Sequence, residues 1–142
     1  MSANKNRIMQ DYVQTFLKDR YLTFQSVDMS PGARSLAPIS GDTVIEKDVT
    51  GVSTKQYLFS FIGVETLDPG TNKNNADNQD LFEKFNDWIV EQENNKNYPD
   101  FGEKATNYKL EPLNNTADLA YIDENNNAKF ILTVKLTYEE ED

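Results

Sequence analysis

The stretch "TKQYLFSFIGVETL", residues 54–67, decides the fold. A strand sends successive side chains to opposite faces. Read that way, Tyr57, Phe59 and Phe61 share one face, and Leu58, Ile62 and Val64 share the other. A strand with one wet face would carry polar residues on one of these sets. Both sets are apolar, so the period predicts an inner strand covered on both sides. The aromatic and β-branched content points the same way.

On the N-terminal side, "TVIEKDVTG" at 43–51 reads as a strand ending at a Gly turn. Residues 25–42, "QSVDMSPGARSLAPISGD", hold two Pro, two Gly and four Ser, which break any period and predict a long loop. Residues 4–20 form a first helix, because Ile8, Met9, Tyr12, Val13, Phe16 and Leu17 make one apolar face at helical spacing. Lys18 and Arg20 fall in its last turn, where the helix dipole favours cations.

On the C-terminal side, "DPGTNKNNADNQD" at 68–80 reads as a polar loop, with Asp77 as the N-cap of a second helix over about 78–94. Leu81, Phe82, Phe85, Trp88 and Ile89 are the apolar stripe of that helix. The stripe has the form of a partner-binding face, but the strands supply a matching apolar surface, so it reads as core. Phe82, Phe85 and Ile89 are expected to be buried and Trp88 at least partly so. Glu83, Asp87 and Glu91 are expected outside. Three strands follow, at 107–113, 117–123 and 128–140, the last two joined by the turn signal "ENNN". Phe130, Leu132, Val134, Leu136 and Tyr138 alternate with Ile131, Thr133, Lys135 and Thr137, which gives one dry and one wet face. "EEED" at 139–142 reads as an acidic tail. The order α-β-β-α-β-β-β predicts one α+β domain over residues 1–142, with a mostly antiparallel sheet of about five strands and two helices laid on it.

Composition narrows the chemistry. The 142 residues suit one core, filled by eight Phe, seven Tyr and one Trp. There is no Cys and no His, so disulfides, thiolate zinc sites and Ser-His-Asp or Cys-His nucleophilic sites cannot be built in this chain. The formal charge is -10, and the 14 Lys and Arg are scattered singly, which disfavours phosphate-driven nucleic-acid binding and anionic membranes. The N-terminus carries no signal-peptide pattern and no apolar run approaches the ~18 residues of a membrane span. "NNT" at 114–116 matches a glycosylation acceptor, which has no meaning without secretion.

Several site-like patterns dissolve on inspection. Glu111 with Asp123, or Glu83 with Asp87, are carboxylate pairs of the kind glycosidases use, but 24 acidic residues make such pairs inevitable. Asp123, Asn125 and Asn127 start like a calcium loop, yet Ala128 stands where Gly is needed and Val134 where Glu is needed. "SPGARS" around Arg34 is too little to cradle a phosphate. No catalytic, metal or cofactor-binding residue emerges, and an enzyme is not expected.

The run from "DVTGVSTKQYLFSFIGVE" to "FEKFNDWIVEQENNKNYPDF" resembles small proteins from phages and prophages of Gram-positive bacteria, the tail terminator or minor capsid (head–tail joining) proteins. The likeness is carried by a K-x-Y-x-F-x-F strand, here Lys55, Tyr57, Phe59 and Phe61, ahead of an F-x-x-F-x-x-W-I-x-x-Q helix, here Phe82, Phe85, Trp88, Ile89 and Gln92. Pro99, a strand at Leu110 to Leu113, a hairpin arm at Tyr121 to Glu124 and a final alternating strand complete it, over about residues 45–138. The resemblance implies a virion protein without catalytic residues or cofactors. It implies a self-associated ring, usually a hexamer, at the head-proximal end of the tail tube. One face would meet the tail tube protein and the other the head-side connector, with DNA passing the lumen without specific binding. A neck stopper or head-completion role is the alternative, and a non-virion adaptor a more distant one. On this reading the loops at 25–42 and 68–80 supply ring and partner contacts, with Met29, Arg34, Leu36, Asp68, Asn72 and Lys73 as the candidates.

Overall fold

The computed structural model describes residues 4–17, 22–24, 34–66, 72–114 and 118–141. Their elements are α1 (Lys5–Gln14), β1 (Leu22–Phe24), β2 (Arg34–Lys47), β3 (Val52–Thr66), α2 (Asn72–Asn94), β4 (Ala105–Pro112), β5 (Asp118–Ile122) and β6 (Asn127–Glu141). The fold is α+β, with two helices and a mostly antiparallel sheet of six strands. The sheet runs β1-β2-β3-β6-β4, and β5 also pairs with β6. β6 is thus shared along one side, by β4 over its C-terminal part and by β5 over its N-terminal part.

β3 is an inner strand between β2 and β6, as its two apolar faces predict. Tyr57, Phe59 and Phe61 are fully buried on one face, beside Leu136, Val134 and Leu132 of β6. Phe82, Phe85 and Ile89 of α2 and Met9 and Val13 of α1 close over that face and join the same core cluster. Phe61 and Phe85 stack at 4.2 Å, and Phe16 meets Phe61 edge-on at 6.3 Å. Burying each such side chain contributes about 1.5–3 kcal/mol. The opposite face is covered less than predicted. Val64 is buried there, but Leu58, Ile62 and, on β6, Ile131 are only half-buried, because both helices lie on the Tyr57 side. Burial along β6 alternates from Ala128 to Tyr138 as its sequence requires.

Five expectations are corrected. Helix α1 stops at Gln14 rather than at residue 20, because the Thr15 hydroxyl donates to the Tyr12 carbonyl at 2.6 Å and the backbone tightens to shorter-range bonds. Phe16 and Leu17 still reach the core from that turn, which is why the apolar period outruns the helix; Lys18 and Arg20 lie outside the described residues. The loop expected over 25–42 is strand from Arg34 onward, and its first part lies outside the described residues. Pro38 and Gly41 are accommodated because β2 is irregular, with register shifts between Pro38 and Ser40, Ser40 and Thr43, and Val44 and Glu46. A short parallel strand, β1, adds an element that the sequence did not suggest. The loop expected over 68–80 is helix from Asn72, so Asp77 lies inside α2 rather than at its N-cap position. The acidic tail is not a tail: Glu139 to Glu141 complete β6 against Val52 to Thr54.

Candidate functional site

Of the six candidate contact residues, four fall within the described residues, two on β2 and two in the first turn of α2. Arg34 and Leu36 are buried in β2 and are not loop contacts. Leu36 packs in the core opposite Phe61. Arg34 pairs with Glu65 and donates to the Val64 carbonyl, with its guanidinium 5.9 Å from the Phe82 ring centroid. The physical reason is register: Arg34 stands beside Gly63, whose missing side chain leaves room for Phe82 and the guanidinium. Asn72 and Lys73 lie in the first turn of α2, and Met29 and Asp68 fall outside the described residues. Of the seven expected core residues, six are fully or almost fully buried; Trp88 is half-buried against Tyr12 at 5.2 Å and Phe16 at 5.6 Å. Glu83, Asp87 and Glu91 lie exposed, as the stripe requires.

Polar groups within the fold are engaged in holding it. Glu140 accepts from Lys55 at 2.7 Å and Lys5 at 3.0 Å, which ties α1, β3 and β6 together. Burial raises the pKa of this carboxyl, but the bonds from Lys55 and Lys5 outweigh it and hold the carboxyl below its ordinary value. The Lys5 ammonium also sits 5.1 Å from the Tyr138 ring centroid. Glu93, near the end of α2, accepts from the Tyr98 hydroxyl at 2.6 Å and from the Leu110 amide at 3.0 Å, so it fastens the helix to the outer side of β4. Burial and the Glu93 carboxylate push the Tyr98 hydroxyl up to about 12.

Asn114 has a structural task. In the gap between β4 and β5 its side-chain oxygen accepts from the Thr133 amide at 2.9 Å, and its side-chain nitrogen donates to the Ile131 carbonyl at 3.5 Å. One side chain thus stands in for a strand residue along β6. The asparagine of the "NNT" match thus has a structural role in the sheet.

The two four-residue hairpin turns are built alike. In β2–β3, Asp48 accepts from the Thr50 amide and hydroxyl and the Val52 amide, and Gly51 takes φ 90°. In β5–β6, Asp123 accepts from the Asn125 and Asn127 amides, and Asn126 takes φ 63°. Each is a hairpin turn closed by a left-handed residue. Asp123 Oδ1 thus takes the two backbone amides and Oδ2 the Asn127 side-chain nitrogen at 3.3 Å, so the run folds as a hairpin turn rather than a calcium loop. Among the described residues, no group of three or more acidic side chains is placed to hold a metal ion. No helix among them is long and apolar enough to cross a membrane.

Apart from Val90 on α2, the large apolar side chains exposed among the described residues fall in two places. Ile39, Val44 and Ile45 on β2 and Val49 in the β2–β3 turn are exposed. Leu113 after β4, and Tyr121 and Ile122 at the end of β5, are exposed on the other side of the sheet. The two groups also sit toward opposite ends of β6: the β2–β3 turn adjoins its end at Glu141, whereas Ile122 pairs with Ala128 at its start. Sequence reasoning missed both. Val44 and Ile45 are neighbours on β2 and both are exposed, in a stretch where every residue from Thr43 to Thr50 is exposed.

No protein-family model matches this chain, and no curated protein matches it.

Proposed function

We propose that this chain is a virion structural protein that forms a ring at the head-proximal end of a phage tail tube, ends tube growth and joins the tail to the neck. The observation that carries the reading is the pair of unlike apolar corners, on opposite edges and toward opposite ends of one sheet. A ring needs head-to-tail contacts between two different surfaces of the same chain, and closes when the rotation between copies does. Two separate unlike patches fit that requirement better than a single self-complementary one. The motif resemblance supplies the virion setting. The formal charge of -10 suits a ring whose lumen lets DNA slide without holding it.

The test is mass measurement and electron microscopy of the purified protein, alone and mixed with tail tubes. Rings that cap tube ends are expected. A chain that stays monomeric at high micromolar concentration and leaves tubes uncapped overturns the reading. Deleting the gene is expected to give tubes of uncontrolled length; normal tails with leaking heads would instead indicate a stopper.

A further inference from the structure

We draw no further inference here: the strongest candidate, the outer edge of β2 beyond Leu36 with Ile39, Val44 and Ile45 exposed along it, has no described strand beside it, and nothing in the structure shows what covers it.

Discussion

Gly63 shows how one residue arranges a core. It lies on the helix-covered face of β3, between Arg34 on β2 and Phe130 on β6. An added Cβ would collide with the Phe82 ring and approach the Arg34 guanidinium at 3.2 Å. Gly63→Ala is therefore expected to destabilise the fold by about 1–3 kcal/mol, the usual range for overpacking. Denaturant unfolding followed by the single Trp checks it, and an unchanged midpoint would mean that Phe82 yields freely. Lys96 presents the opposite case. α2 ends in a Schellman arrangement: the Asn97 amide donates to the Gln92 carbonyl and the Lys96 amide to the Glu93 carbonyl. Lys96 then occupies the left-handed position at φ 55°, where a side chain costs about 1 kcal/mol or more. Lys96→Gly should accordingly raise stability by about 1 kcal/mol, read as a higher thermal midpoint. A lower midpoint would show that the flexibility glycine adds to the unfolded chain outweighs the relief of strain.

At the scale of elements, the Glu140 latch gives the stability of the fold a pH dependence. Its carboxyl is held below the ordinary value in the folded protein. A depressed folded pKa stabilises above the unfolded value, about 4.3 for Glu, and the contribution is lost as pH falls through the folded one. Glu140→Gln should remove that part of the acid dependence, so the wild-type advantage over the variant shrinks below about pH 4. Parallel thermal scans at neutral and acidic pH measure it; a gap constant across that window would sink the latch. The latch was hidden in the sequence because Glu140 sits in a run of acids that reads as a solvated end. Legibility follows period in the other elements too. β6 and the aromatic half of α2 bury residues at strict intervals and β3 buries its Tyr57 face as the period requires, and these read correctly. β2 did not, because bulges shift its period and Ser, Gly and Pro mask its extended backbone. The first turns of α2 did not, because an Asn- and Asp-rich run has turn chemistry whatever structure it adopts. Arg34 and Leu36 were placed among the candidate contacts for the same cause, since they read as loop whereas β2 buries them.

For the whole molecule, the two apolar corners make an assembly prediction that differs from a symmetric dimer. Charged substitutions at exposed positions usually alter stability by less than about 0.5 kcal/mol. Val44→Glu with Val49→Glu should then spoil the β2 corner, and Tyr121→Glu with Ile122→Glu the β5 corner, without unfolding the chain. Trp88 reports on this, being the only Trp and packed between Phe85, Tyr12 and Phe16 where α1 meets α2. In a head-to-tail ring every contact uses one corner of each kind, so either double variant alone should be monomeric. Mixed together, the first variant still offers a sound β5 corner and the second a sound β2 corner. One contact forms, both outer corners of the pair are spoiled, and growth stops at a heterodimer. Analytical ultracentrifugation of each variant and of the mixture separates the cases. If one corner paired only with its own kind, the variant keeping that corner would dimerise alone and mixing would add nothing. Rings persisting in either variant would remove both corners from the assembly and leave the ring reading without its structural support.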